Sequence, residues 1–300
     1  IFFMVSNNIK NVKQIKIFAY LMLLVCFLVA LNGWQQHAQG IDRVSAPFEG
    51  EGGEPNTLGG YLVFMMAIML GLIIYSPNSY ARFLILGLLF FCFPVLLWTL
   101  SRSSWIAFIS MYLSFIILSK KAKPLLLIIF LLTLIILPQT LPLSVRNRIK
   151  ETFIGQERIL LGKKITFDES TTARLESWKV SLELWQNRPF FGYGVSSSVV
   201  TDHQYARVLK ETGFFGFLSF VWILWTVFKF AFLTYQNAPT NFSKGLGLGF
   251  LCGYIGLLVH ALGAATFIII RIMEPFWFLT ALVINLGQIN KEIYDLKFAT

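Results

Sequence analysis

The sequence is poor in charged residues and in cysteine, and each shortage excludes a class of protein. Only 13% of the 300 residues are charged, whereas 56% are hydrophobic and 30 are phenylalanine. Water-soluble domains carry about 25% charged residues, so this chain is expected to lie in lipid. The three cysteines, Cys26, Cys92 and Cys252, fall inside apolar stretches without paired spacing. We therefore expect neither a disulfide framework nor a cysteine metal site.

Long apolar runs are abundant, and a membrane-spanning helix needs about 20 such residues. The sequence predicts about eight spans, so the expected fold class is all-α, a polytopic transmembrane helix bundle. Residues 1–300 are expected to form a single integral membrane domain. Because the chain begins with Ile1 rather than methionine, we expect it to lack an N-terminal part. The predicted spans are 15–33, 57–75, 79–98, 103–119, 124–142, 214–235, 245–264 and 275–288.

Basic residues in the short connections predict how the spans are oriented, because Lys and Arg favour the cytoplasmic side. The lysines of 10–16, 120–123 and 229–244 place those connections on the cytoplasmic side of the membrane. The largest outer segment is rich in Arg and Lys, which long loops tolerate, so its arginines suggest an anionic ligand. The outer segments are 35–56, 101–103 and a large periplasmic or extracellular loop, 143–212.

The net charge of +10 does not by itself predict nucleic-acid binding. The basic residues are dispersed among spans and loops and form no soluble basic face. The lipid bilayer is therefore an expected partner and nucleic acid is not.

The outer loop is predicted to contain short amphipathic helices. Ser170, Thr171 and Thr172 favour a helix start. Apolar residues then recur at helical spacing and form a stripe suited to lying on the membrane or on the spans. The stripe consists of Leu175, Trp178, Leu182 and Trp185. A separate, polar face consists of Arg174, Ser177 and Ser181. The segment PFFGYG at 189–194 is interpreted as a turn, because it lacks the third glycine and the strand of a nucleotide fingerprint.

A second loop helix is predicted to start at Thr201, whose hydroxyl can form a capping box with Gln204. His203 would then lie in the first turn, where the helix macrodipole disfavours the imidazolium. A neutral imidazole can accept a proton at neutral pH. Gly213 is expected to end this helix before the next span.

Each polar residue singled out in this way has a structural alternative. His203 can be a polar residue of a helix cap, and Arg174 can be a solvated loop charge. Arg102, at the outer mouth of two spans, can be an interfacial anchor. The predicted topology places all three on the same side of the membrane, which favours one common site.

Four motifs, taken in order, resemble the O-antigen ligase and O-antigen polymerase superfamily. The resemblance extends from about Pro55 to the end of the chain, and one departure is Gln204, where the family often has Asn or Ser. The motifs are SRSSW at 101–105, R-x-x-x-W at 174–178, the P-x-x-G-x-G turn at 189–194, and HQY followed by E-x-G-x-x-G within 203–216.

The resemblance implies a metal-independent, inverting glycosyltransferase of surface-polysaccharide assembly that needs no cofactor. Its donor would be a polyprenyl-diphosphate-linked glycan at the outer face of the bacterial cytoplasmic membrane. Arg102 and Arg174 would bind the donor diphosphate, and His203 would accept the proton of the acceptor hydroxyl. Glu211 would be a supporting residue. The absence of a D-x-D pair agrees with chemistry that uses no metal.

The resemblance leaves the acceptor open. A polymerase would use another lipid-linked glycan, and a ligase would use a lipid A-core sugar. The modest length of the outer loop favours a polymerase.

The sequence also leaves two functions other than glycosyl transfer open. A transporter or flippase for an anionic solute or lipid-linked sugar is the alternative, since membrane arginines and histidines also mark ion pathways. The placement of the three residues on one face disfavours it. A purely structural scaffold would leave the outer arginines unexplained.

Overall fold

The computed structural model describes residues 1–48, 53–151, 156–160, 163–167, 169–195 and 203–298. Within these ranges the fold is an all-α, polytopic helix bundle, as predicted. Its helices are α1 (Phe2–Asn8), α2 (Val12–Ala38), α3 (Pro55–Tyr75), α4 (Ser79–Trp98), α5 (Arg102–Leu118), α6 (Lys123–Thr140), α7 (Leu143–Glu151), α8 (Glu169–Asn187), α9 (Gln204–Gln236), α10 (Asn241–His260) and α11 (Ile270–Phe298).

The eight predicted spans all fall on helices. Among the described helices, α2, α3, α4, α9, α10 and α11 are long and apolar enough to cross a membrane. The other two predicted spans correspond to α5 and α6, which are apolar but contain shorter qualifying segments. Helices dominate because lipid offers no partner for backbone N–H and C=O groups, which a helix satisfies within itself.

Helices α3 and α10 form the centre of the bundle, and most of their residues are buried. A Cβ atom added to Gly71 would lie 2.2 Å from the backbone oxygen of Gly245 and 2.6 Å from the amide nitrogen of Gly249. Glycines at this contact allow the two backbones to approach closely, as small residues do between membrane helices. By contrast, α6 exposes most of its apolar side chains, which suits contact with lipid.

The two ends of the bundle carry different groups. At one end the starts of α3 and α5 meet, where the Ser101 hydroxyl donates to Asn56 Oδ1 at 2.7 Å. At the opposite end the Tyr75 and Tyr235 hydroxyls are 3.0 Å apart. We call these the arginine end, which contains Arg43, Arg102 and Arg174, and the lysine end, which contains Lys120, Lys121 and Lys244.

The outer-loop region contains an element that the sequence did not predict. Strands β1 (Gln156–Leu160) and β2 (Lys163–Phe167) pair antiparallel, with Gln156 opposite Phe167. Pairing satisfies backbone groups of these two five-residue segments. The assignment of residues 1–300 to one domain, with 143–212 as its loop, stays a prediction.

Helix α8 begins at Glu169, close to the predicted start, and its leucines and its hydroxyl residues differ in burial. Leu175 and Leu182 are exposed, whereas Thr172 and Ser181 are buried. The Ser181 hydroxyl donates to the backbone oxygen of Ser177 at 2.7 Å, which satisfies it inside the protein. The polar face therefore packs inwards, and the exposed leucines are available to lipid.

Candidate functional site

Arg102 is the first residue of α5, and a serine cap fixes its position. Ser101 Oγ accepts a hydrogen bond from the amide of Ser104 at 3.3 Å. Leu100, just before it, has a φ of 48°. This conformation is uncommon outside glycine and turns the chain between α4 and α5. Ser101 and Ser104 are buried, while Arg102 is partly exposed at the arginine end.

A chain of buried hydrogen bonds supports this helix start. Because Ser101 donates to Asn56, the Ser104 hydroxyl must donate to Ser101 Oγ, 2.7 Å away. Ser104 Oγ is hydrogen-bonded to His260 Nε2 at 3.1 Å, and His260 Nδ1 is hydrogen-bonded to the Thr266 hydroxyl at 2.8 Å. His260 is thus a fully buried residue that joins α10 to α5, and each of its ring nitrogens has a partner.

Arg174 extends from α8 towards the same place. Its side chain is partly buried. A Cβ atom added to Gly263 would lie 3.9 Å from Arg174 Nη1 and 2.3 Å from Ser103 Oγ. The Arg174 guanidinium is therefore beside the α10–α11 connection and close to the residue that follows Arg102. The structure thus brings the two predicted diphosphate-binding residues to one location.

Two further arginines that the sequence analysis did not select belong to this group. Arg43 Nε donates to the backbone oxygen of Thr99 at 3.1 Å. Burial lowers the pKa of the Arg43 guanidinium, and the charges of Arg148, Arg174 and Arg102 lower it further. We call Arg43, Arg102, Arg148 and Arg174 the arginine cluster. The repulsion among these arginines, which adds to the effect of burial on the Arg43 pKa, is of the kind that a bound anion relieves.

The two added arginines reach the cluster from distant parts of the chain. Arg43 lies in the connection between α2 and α3, which the sequence placed outside without a motif to mark it. Arg271 holds this connection by donating to the backbone oxygens of Pro47 and Phe48. Arg148 lies on α7 and forms a 3.4 Å ion pair with Glu151. In the sequence, only the predicted location of both segments on the outer side of the membrane indicated that Arg43 and Arg148 could join this cluster.

His203 is only 2% exposed and lies between α8 and the α10–α11 connection. Its Nδ1 is 2.9 Å from the backbone oxygen of Leu262, and its Nε2 is 3.0 Å from that of Arg174. The Trp178 ring packs 5.3 Å away, centroid to centroid. A neutral imidazole has one N–H and can donate to only one of these carbonyls, whereas the imidazolium donates to both. The neutral ring that the helix dipole predicts therefore donates to one of these carbonyls and leaves the lone pair of the other nitrogen facing a carbonyl oxygen.

The predicted capping box is wrong in its Gln204 half. Helix α9 begins at Gln204, so His203 occupies the N-cap position rather than the first turn, and its side chain makes no capping bond. Gln204 Oε1 instead accepts from the amide of Phe267 at 2.8 Å. The amide of Gln204 donates to the backbone oxygen of Ala261 at 3.2 Å. The other half, Thr201, lies outside the described residues.

A backbone contact that we call the glycine clamp joins residues 189–194 to residues 210–215. The amides of Tyr193 and Gly194 donate to the oxygens of Lys210 and Glu211, at 3.0 and 2.8 Å. Gly213 breaks the helical geometry of α9 with a φ of 66° and a ψ of −166°. The predicted turn at 189–194 and the predicted helix stop at Gly213 are both confirmed.

Glu211, the predicted supporting residue, lies in this clamp. Its Oε1 is 2.9 Å from Arg207 Nε, one helical turn earlier, and both side chains are largely buried. Within the described residues, no three His, Cys, Asp or Glu side chains lie together as a metal-binding group, so Glu211 belongs to none. Its role in a reaction stays a prediction.

Comparison with known proteins adds a sequence relationship to this geometry. Residues 87–221 match a family model described as O-antigen ligase. No curated protein matches the chain. The matched range contains Arg102, Arg174 and His203, whereas Arg43 lies outside it. The fold thus adds a cluster member that the matched range does not include.

Proposed function

Because residues 87–221 match the O-antigen ligase family model, we propose that the chain is a glycosyltransferase of surface-polysaccharide assembly. Its donor is a polyprenyl-diphosphate-linked glycan, and transfer takes place at the outer face of the bacterial inner membrane. The observation that carries the proposal is the position of the arginine cluster beside the buried His203, at one end of the apolar helices.

The arginine cluster stabilises the leaving group. As the bond to the glycan breaks, negative charge grows on the polyprenyl diphosphate. Planar guanidinium groups bind phosphate oxygens through paired hydrogen bonds, and positive groups already in place favour the charge as it develops. Arg102 and Arg174 make these bonds. Arg43 and Arg148 strengthen the positive potential around them.

His203 acts as the general base. The acceptor hydroxyl attacks the anomeric carbon, the bond from that carbon to the diphosphate oxygen breaks, and the configuration inverts. His203 Nε2 takes the hydroxyl proton after exchanging the Arg174 carbonyl for that hydroxyl. In a neutral ring that donates from Nδ1 to Leu262, the Nε2 lone pair faces the Arg174 oxygen at 3.0 Å. This contact is unfavourable, which favours its replacement by the hydroxyl.

Glu211 supports the reaction indirectly, through its ion pair with Arg207 on the first turns of α9. The mechanism assigns no step to a metal or cofactor. We favour a polymerase, which uses another lipid-linked glycan as acceptor, over a ligase that uses a lipid A-core sugar. The basis is the modest length of the 143–212 loop.

The test is complementation of a bacterial host that lacks its own polymerase or ligase. His203→Ala should reduce surface polysaccharide about 10²- to 10⁴-fold, the usual contribution of a general base. His203→Arg retains positive charge and donors but cannot serve as the base, so it should be equally inactive. Arg174→Ala should also be inactive. Arg82 is an exposed arginine in the first turn of α4. Arg82→Ala is the matched control and should be active.

Membrane expression must be equal for all variants. Substantial activity of His203→Arg would replace the base assignment with a role for the imidazolium charge. Wild-type activity of His203→Ala and Arg174→Ala together would remove the site assignment altogether.

An assay without a membrane distinguishes transport of the substrate from glycosyl transfer. Protein purified in detergent is incubated with the lipid-linked donor and acceptor, and the products are resolved by size. A glycosyltransferase forms longer glycan under these conditions. A transporter or flippase changes only the location of its substrate, so a detergent-purified protein that leaves the glycan unchanged while complementing the host would favour the alternative.

A further inference from the structure

A cavity lined by lysine, tyrosine and glutamine residues lies at the lysine end, opposite the arginine cluster. Its volume is about 130 Å³. Parts of the chain far apart in sequence converge on it: the ends of α3 and α9, the connection between α5 and α6, and the second turn of α10. The lining residues are Tyr75, Lys120, Lys121, Tyr235, Gln236 and Lys244.

Hydrogen bonds hold the aromatic wall of this cavity in place. The Tyr235 hydroxyl donates to the backbone oxygen of Leu118 at 3.1 Å and accepts from the amide of Lys120 at 3.2 Å. The Tyr75 hydroxyl, 3.0 Å from that of Tyr235, is therefore the donor between them. Ala122 in the same turn has a φ of 62°, which is unusual for a residue other than glycine. The hydrogen bonds to Leu118 and Lys120 thus hold the start of this turn against Tyr235.

The cavity is strongly positive. Lys121 Nζ lies 6.0 Å from the centroid of the Tyr75 ring, which places the ammonium over the aromatic wall. The sequence contains no Asp or Glu between Glu54 and Glu151, or between Glu211 and Glu274. Both lysine-bearing connections therefore lack a neighbouring acid in the chain. Among the residues that the structure describes, the ion pairs involve none of the three cavity lysines.

We propose that this cavity binds the phosphate of an anionic phospholipid headgroup. The ends of apolar helices lie at the level of the headgroups, and basic pockets between such helices are suited to anionic lipids. The lysine ammonium groups supply compact charge and several N–H donors. The lipid tails would extend along the apolar surfaces of the spans.

The size of the cavity distinguishes it from the proposed active site. Pockets that enclose small-molecule ligands usually measure about 300–1,000 Å³, so 130 Å³ cannot enclose a glycan diphosphate. A single phosphate group is small enough. The cavity also lies at the opposite end of the bundle from His203, so the proposal does not depend on glycosyl transfer.

The experiment measures lipid bound to the detergent-purified protein by native mass spectrometry. Phosphatidylglycerol, phosphatidylcholine and inorganic phosphate are titrated separately. Lys121→Gln and Lys244→Gln should each weaken phosphatidylglycerol binding about fivefold, as expected for one lysine near an anionic lipid. Lys123→Gln removes the same charge from an exposed lysine that does not line the cavity, and should have no effect.

The charge-preserving variant Lys244→Arg should restore binding, which shows that the loss in Lys244→Gln is not a folding defect. A loss in Lys123→Gln equal to that in Lys121→Gln would overturn the proposal in favour of a diffuse surface charge. Equal binding of phosphatidylglycerol and phosphatidylcholine would also overturn it. Competition by inorganic phosphate at the same concentration as the lipid would show a site for a free anion and not for a headgroup.

Discussion

Replacing Gly213 with alanine should break the glycine clamp and displace His203. The backbone of Gly213, with φ 66° and ψ −166°, lies in a region that is essentially limited to glycine. Holding another residue there costs about 1–3 kcal/mol. The added Cβ atom would also lie 2.4 Å from the carbonyl carbon and oxygen of Phe190. Forcing an extra group into a packed site costs about 1–3 kcal/mol more.

The expected destabilisation is therefore about 2–6 kcal/mol, the sum of strain and overpacking. This is a large share of the about 5–15 kcal/mol that stabilises a typical folded protein. Relief of the overlap requires 189–194 to move away from α9. The amide of Phe214 would then lose its 2.8 Å hydrogen bond to Pro189. Because α8 ends just before Pro189, the contact between Arg174 and His203 would loosen as well.

Two other glycines separate the two contributions. Gly40 has a φ of 82° with nothing within 4 Å of an added Cβ atom, so Gly40→Ala tests strain alone. Gly87 is helical and equally open, so Gly87→Ala introduces neither strain nor overlap. Thermal unfolding of the detergent-purified proteins should show the lowest midpoint for Gly213→Ala, an intermediate one for Gly40→Ala and little change for Gly87→Ala.

Limited proteolysis provides a local readout of the same change. Cleavage within 189–194 should accelerate in Gly213→Ala and not in the two other variants. Polysaccharide synthesis should fall in Gly213→Ala even at matched expression. An unfolding midpoint for Gly213→Ala equal to that for Gly87→Ala would refute the reasoning, since the clamp would then tolerate a side chain at this position.

Two further predictions concern the arginine end. Arg43→Gln should raise the KM for the donor about tenfold, because losing one positive charge near the diphosphate weakens the attraction by about 1–4 kcal/mol, and it should also lower the unfolding midpoint, because the hydrogen bond to Thr99 is lost; Arg82→Gln is the control, and an equal effect of both on the KM would remove Arg43 from the site. His260→Ala should lower the unfolding midpoint, because losing a partner in the buried chain costs about 1–3 kcal/mol for each of the Ser104 and Thr266 hydroxyls. An unchanged midpoint would show that the buried chain does not stabilise the bundle.

Local rules were sufficient for several features. The helices at the eight predicted spans follow from apolar length, because a helix in lipid satisfies its backbone by itself, and six of the described helices are long enough to cross a membrane. The stop at Gly213 and the turn at 189–194 follow from glycine and proline chemistry. Residues within a few positions of one another determine all of these features. Capping was less predictable, since Gln204 found a partner 63 residues away in Phe267.

The sequence by itself determined the helical membrane class, the order of the spans and the grouping of Arg102, Arg174 and His203 on one side. Only the tertiary structure decided which other residues join them. Arg43 reaches Thr99 across 56 positions, and Ser104 reaches His260 across 156. Such contacts depend on how whole helices pack, and no local pattern of apolar residues encodes that choice. The same packing decided that both nitrogens of His203 face carbonyl oxygens, because Leu262 and Arg174 belong to different parts of the bundle.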